Sequence, residues 1–283
     1  MDLDITDQRW RDARDALTGA AERFSRMLLD CRTPERRTIG DWSVADTAAH
    51  VAIVARLNAG LIGGDLSPLD APELDRGWQE SSLGGFGRLN ALSLEHFPER
   101  ALDVVSNTLL EEVDLLLNRA RDVDPRELRP WLGSAQLPAA SHVAHQLNEV
   151  LIHGLDIARA LNVPWQISAH EAALTFDLFL MPMLGGRSGR LLAGSGGNEG
   201  RVAIEFRSKH TTPVILTSDN GRLQVEPADG GKVDAQVRFD PTAMMLTIFR
   251  RTRLLRSVAT GKVFAFGRRP WAAVTYLRGM RSP

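Results

Sequence analysis

The hydrophobic period of this chain changes once, and it changes across a glycine-rich stretch. Upstream, apolar residues recur at intervals of three and four; downstream, they recur at intervals of two. Seven glycines fall between Gly185 and Gly200, a run with too few side chains to build a core. Such a chain is expected to fold in two parts. Residues 1–184 form a helical bundle with a connecting helix, 185–200 form a linker, and 201–283 form a small α+β domain.

The helices can be placed from their punctuation. Ala13, Leu17, Ala20, Phe24 and Leu28 share one face of a helix over about Asp7–Asp30. Ser43, with Asp46 three residues on, reads as a capping box that opens a second helix running to Leu61. A Pro-, Asp- and Gly-rich loop is expected from about Gly63 to Gly87. A third helix spans Glu99–Arg121 and a fourth Ser141–Leu161, stopped by Pro164. Four long helices with one lengthy connection predict a four-helix bundle. Ser168 and Glu171 form a second capping box, for a helix reaching about Met183. Beyond the glycines, Val202–Phe206 alternates as a strand. Asn220-Gly221 sits between the apolar runs Val214–Thr217 and Arg222–Val225, a hairpin signal because both turn residues need positive φ. Asp234–Phe239 and Gly261–Phe266 are further strands. Asp240-Pro241 opens a helical stretch carrying Met244, Leu246 and Phe249, and Trp271–Leu277 closes the chain as a helix.

Composition narrows the class of partner. With 43% hydrophobic and 24% charged residues the chain matches a soluble globular protein rather than a disordered one. The acidic start lacks a signal-peptide pattern. No apolar run approaches the ~18 residues of a membrane span. The single cysteine, Cys31, excludes an internal disulfide and reads as a structural residue. A cytoplasmic protein without a membrane partner is expected. From Arg201 onward fifteen Lys/Arg face six Asp/Glu. This basic part lacks the interleaved aromatics of a single-strand binder and any zinc-finger spacing, so no nucleic-acid partner is expected.

Chemistry concentrates on the fourth helix. At the helical angle per residue, His142, His145, Glu149, His153 and Asp156 fall within an arc of about 80°. Val143, Leu147, Val150, Leu151, Leu155 and Ala158 lie opposite. A solvated face is normally built from Glu, Lys and Arg, whereas this stripe holds three of the seven histidines. Glu149 and His153 stand one turn apart, roughly 6 Å between Cβ atoms, which suits two ligands on one ion. Two ligands from one helix bind weakly, and His50 on the second helix is the candidate third.

Trp42-Ser43-Val44-Ala45-Asp46-Thr47-Ala48-Ala49-His50, followed about a hundred residues later by Asn148-Glu149-Val150-Leu151-Ile152-His153-Gly154-Leu155-Asp156-Ile157-Ala158-Arg159, resembles the mycothiol-dependent maleylpyruvate isomerase family. That resemblance implies a DinB-like metal-binding four-helix bundle in which His50, Glu149 and His153 hold zinc or another divalent metal. Residues 233–241 and 261–267 resemble a sterol-carrier-type C-terminal domain. The implied activity is a zinc-dependent enzyme, isomerase or S-transferase, that uses mycothiol as its thiol cosubstrate against an electrophilic small molecule, as a monomer or homodimer. Three protein ligands leave a coordination position open, where a thiol is deprotonated by the cation. Two other readings stay open: a non-catalytic lipid or small-molecule binder with a structural metal, and a hydrolase or lyase that activates water.

The remaining polar residues carry weaker expectations. Asp156 is either a hydrogen-bond acceptor for a ligand imidazole or a surface carboxylate. His145 is a fourth ligand, a proton shuttle or a cavity-lining residue; both are named as candidate catalytic residues. His142 lies near the helix start. His96, His170 and His210 read as surface residues. Arg250, Arg251, Arg253 and Arg256 read as favourable charges at a helix end, with a substrate-carboxylate role as the alternative.

Overall fold

A computed structural model describes residues 5–80, 85–133, 135–185, 201–219 and 222–279. They divide into two compact units, one of Ile5–Ile167 and one beginning at Ser168. The first is helical and the second is built on a sheet.

In the first unit the long helices are α1 (Asp7–Leu29), α2 (Val44–Ile62), α5 (Leu102–Arg121) and α6 (Ala139–Leu161). Helices α1 and α2 each pack on both α5 and α6. Phe24, Leu17, Leu57, Leu109 and Leu116 are fully buried between them. The segment expected as a loop contains a helix, α3 (Pro72–Glu80), and a second, α4 (Phe86–His96), begins at its end, so that both lie between α2 and α5. Leu74, Trp78, Leu89 and Leu94 are buried there, so short apolar contacts override a composition that reads as turn. A two-stranded antiparallel ribbon, β1 (Leu128–Pro130) and β2 (Gln136–Pro138), precedes α6. Helix α6 ends on Asn162 in the left-handed conformation at φ 58°.

Gly154 of α6 has a packing reason to be glycine. A Cβ at this position would lie 2.2 Å from Trp165 Cζ2, and the Trp165 indole N–H donates to the Leu151 carbonyl at 3.0 Å. The indole thus lies directly against the backbone beside His153.

The second unit opens with α7 (Ala169–Thr175), a π-helical turn (Phe176–Leu180) and α8 (Met181–Gly185). Pro182 lacks an N–H, and the wider turn falls just before it. Phe176 stacks at 4.9 Å on Phe239 and at 6.4 Å on Phe206, while Asp177 accepts hydrogen bonds from the Thr212 amide. These contacts tie 168–185 to the sheet, whereas the sequence reading grouped that helix with the bundle and drew its boundary at the glycines. Residues 186–200, most of the expected linker, lie outside the described residues.

The sheet has the order β5-β4-β3-β6-β7, from β3 (Arg201–Arg207), β4 (Val214–Asp219), β5 (Arg222–Pro227), β6 (Ala235–Phe239) and β7 (Val263–Phe266). Among the described strands only β3 and β6 pair in parallel. The turn residues Asn220 and Gly221 lie outside the described residues, and the flanking strands pair antiparallel with Asp219 opposite Arg222. Helices α9 (Pro241–Ile248), α10 (Leu254–Ala259) and α11 (Pro270–Gly279) complete the unit. Among the described residues no helix is long and apolar enough to cross a membrane.

Candidate metal centre

Helix α2 begins where Ser43 caps it. Ser43 Oγ accepts the Asp46 amide at 3.0 Å and Asp46 Oδ2 accepts the Ser43 amide at 3.0 Å, the reciprocal arrangement that satisfies two orphan donors. Arg100 Nε donates to Asp46 Oδ1 at 2.7 Å, fixing this end of α2 to the residues before α5. Two turns on, His50 faces α6.

The structure brings His50, Glu149 and His153 together. One carboxylate oxygen serves both imidazoles: Glu149 Oε2 lies 3.3 Å from His50 Nε2 and 3.4 Å from His153 Nε2. One donor atom from each residue falls within 4.8 Å of the other two. Four ligands at about 2.05 Å around a tetrahedral ion stand about 3.3 Å apart. Two edges of the triad match that spacing, and the nitrogen and oxygen donors suit a divalent cation. The imidazole rings of His50 and His153 stand edge to face at 5.1 Å, and the Trp42 indole lies 4.9 Å from His50.

A second layer of polar side chains surrounds the triad. Asp156 Oδ2 lies 3.3 Å from His153 Nδ1, the carboxylate–histidine arrangement that orients a ligand ring. His145 Nε2 lies 3.6 Å from Glu149 Oε1. His145, Glu149, His153 and Asp156 retain 8–15% side-chain exposure, so this face of α6 is not a solvated surface. His142 is fully buried.

Burial opposes the charge on Glu149, but hydrogen bonds from His153 and His50 outweigh it and hold the carboxyl well below its usual range. Burial likewise opposes a proton on His153, yet Asp156 and Glu149 prevail and push its pKa up to about 9. His50 and His145 go the other way, because burial lowers both and Glu149 offsets it only in part. His142 is lowered to about 3 by burial, with His145 and Arg129 adding to the effect. The metal-free site is therefore a carboxylate and one protonated imidazole flanked by neutral ones, and a divalent cation can replace that proton.

Several residues here were not singled out from the sequence. Asn58 and Gln146, both fully buried, bridge α2 and α6 through the Asn58 Nδ2–Gln146 Oε1 bond at 3.2 Å. Trp131, from the loop after β1, stands edge to face with His145 at 5.8 Å. Trp42 was visible only as a motif letter. Amides on helices otherwise patterned as apolar carry no periodic signal; only the α2–α6 register shows what they meet. His96, His170 and His210 are exposed. The helix expected to carry the arginine cluster ends at Ile248, so Arg250 and Arg251 fall in the turn before α10, Arg253 caps α10 and Arg256 lies within it.

The profile of the mycothiol maleylpyruvate isomerase N-terminal domain matches residues 9–158, more than half of the chain. The chain belongs to this family. The match contains helix α2 and all of α6 but its last three residues, and with them His50, Glu149 and His153. The family makes the protein an enzyme of the mycothiol-dependent maleylpyruvate isomerase type. Among solved structures, a crystal structure of a histidine-to-alanine mutant of the mycothiol-dependent maleylpyruvate isomerase aligns with TM-score 0.48 and 14% identity over 90% of this chain and 92% of that one. A crystal structure of the mycothiol-dependent maleylpyruvate isomerase aligns with TM-score 0.46 and 13% identity at the same coverage. No curated protein is similar enough to count as a match.

Proposed function

We propose that this protein is a zinc-dependent, mycothiol-using enzyme, an isomerase or S-transferase acting on an electrophilic small molecule. The observation that carries the reading is the single carboxylate oxygen of Glu149 shared between His50 and His153 at 3.3 and 3.4 Å, inside a domain of the maleylpyruvate isomerase family. His50, Glu149 and His153 would hold the ion, with Asp156 orienting His153. A divalent cation with an open coordination position supplies positive charge that lowers the pKa of a thiol placed there. The chain's own contribution is to bring three donors from two helices into a largely buried site, and to set the Asp156 carboxylate 3.3 Å from His153 Nδ1.

A thiolate formed in such a site attacks an electrophilic carbon. If the sulfur leaves after rotation about the former double bond, the enzyme is an isomerase; if it stays, the adduct is the product of an S-transferase. The DinB-like description of the helical unit and the sterol-carrier-like description of the sheet unit belong to the same reading. They rest on the motifs at 42–50 and 148–159, and at 233–241 and 261–267.

Turnover of α,β-unsaturated acids and of alkylating electrophiles, each with and without mycothiol, tests the proposal. Stoichiometric zinc together with turnover that needs the thiol is expected. Thiol-independent turnover would replace it with a water-activating hydrolase or lyase.

A further inference from the structure

His145 belongs to a hydrogen-bonded chain whose direction can be read from one end. Gln146 Nε2 lies 3.2 Å from the Val51 carbonyl oxygen. A carbonyl only accepts, so the Gln146 amide must present its NH2 there, and its Oε1 must face the other way. Asn58 Nδ2 lies 3.2 Å from that Oε1, which orients the Asn58 amide in turn and leaves its Oδ1 as an acceptor. Asn58 Oδ1 lies 3.2 Å from His145 Nδ1. The only hydrogen available to that contact is one on Nδ1. Both amides are fully buried, where reversing either would set two acceptors or two donors against each other, at about 1–3 kcal/mol for each unsatisfied group.

We infer that the Val51–Gln146–Asn58 chain fixes His145 as the Nδ1–H tautomer, so that its Nε2 presents an electron pair toward the Glu149 side of the metal centre. Asn58 and Gln146 are thus positioning residues. The Nε2 edge of the ring lies 3.6 Å from Glu149 Oε1, so the tautomer decides what His145 offers to the candidate metal centre. A thiol S–H placed there, as the proposed function requires, would meet an acceptor; that consequence rests on the functional reading, and the tautomer does not.

The tautomer is read directly from long-range proton–nitrogen correlation spectra of 15N-histidine-labelled full-length protein, metal-loaded and without any thiol. The His145 signals are assigned with His145→Gln. A protonated Nδ1 and a bare Nε2 on His145 are expected. An Nε2–H form in the wild-type protein overturns the inference, and this needs no variant to fold. In Gln146→Met the Asn58 amide loses its anchor and can rotate, so a substantial population of Nε2–H is expected. Asn58→Leu should likewise lose the single-tautomer signature. If both variants fold and His145 keeps the wild-type pattern, the chain does not set the tautomer. A fall in kcat on the order of tenfold in Gln146→Met, larger than its effect on KM for the thiol and with zinc content unchanged, is the expected kinetic counterpart. A correct tautomer without any mycothiol-dependent turnover would reject the functional reading and leave the positioning network intact.

Discussion

Asp156 Oδ2 stands 3.3 Å from His153 Nδ1, one turn along the same helix, so the ring whose Nε2 faces Glu149 in the candidate metal centre is backed by a carboxylate. The arrangement fixes the ring's orientation and raises its basicity. Asp156→Asn keeps the shape and removes the charge. Zinc affinity is expected to fall about 10–100-fold with the helical content unchanged, measured by competition with a chromophoric chelator. An unchanged affinity would show that the contact is incidental.

The α6 stripe was legible because helical spacing alone aligns His145, Glu149, His153 and Asp156. Spacing did not single out a partner on another helix. His50 entered through the resemblance of residues 42–50 to a known family, and the geometry then places it against the same Glu149 oxygen as His153. The strands of the five-stranded sheet were legible from their alternation, whereas β1 and β2, three residues each, are too short to show a period. Helices α3 and α4 were not, because Pro68, Pro72 and the surrounding Asp and Gly residues read as turns, while the buried Leu74 and Trp78 that hold them depend on tertiary contacts. The start of the second unit was misplaced for a similar reason. A change of period marks where strands begin; it does not reveal that Phe176 packs on Phe206 and Phe239.

Metal binding should be coupled to a proton. In the metal-free protein His153 keeps its proton up to about pH 9, and a ligand nitrogen must give that proton up. Apparent zinc affinity is therefore expected to rise by about tenfold per pH unit as pH increases toward that value, and to level off above it. Calorimetry in buffers of differing ionisation enthalpy should show about one proton released per zinc at neutral pH. Glu149→Gln removes one of the two carboxylates that raise this pKa. It should weaken both the metal affinity and its pH dependence.

Gly154→Ala sets two effects against each other. Alanine favours the helix over glycine by about 1 kcal/mol. The new Cβ would meet Trp165 Cζ2 at 2.2 Å, and overpacking of this kind costs about 1–3 kcal/mol. The indole is also tied to the Leu151 carbonyl and stands edge to face with Phe24 at 6.2 Å, so it has little room to yield. Net destabilisation of up to about 2 kcal/mol is expected from urea unfolding. Because Gly154 adjoins His153, weaker zinc binding should accompany it. A more stable variant would show that Trp165 moves aside freely.

The Asp46 carboxylate should make the helical unit sensitive to acid. Burial raises its pKa, but the hydrogen bonds from Ser43 and the contact with Arg100 outweigh burial and leave it below the usual 3.8. A carboxyl with a depressed folded-state pKa contributes stability that is fully present above its unfolded value and is lost as pH falls through the folded one. The difference in unfolding free energy between wild type and Asp46→Asn should therefore be constant above about pH 5 and shrink from about pH 4 downward. At neutral pH it is expected to be about 1 kcal/mol, since a cap interaction and a partly exposed ion pair are lost together. Comparing the two proteins at each pH cancels the titration of every other carboxylate. A difference that stays the same from neutral to acid pH would mean that the charge on Asp46 does not hold the start of α2.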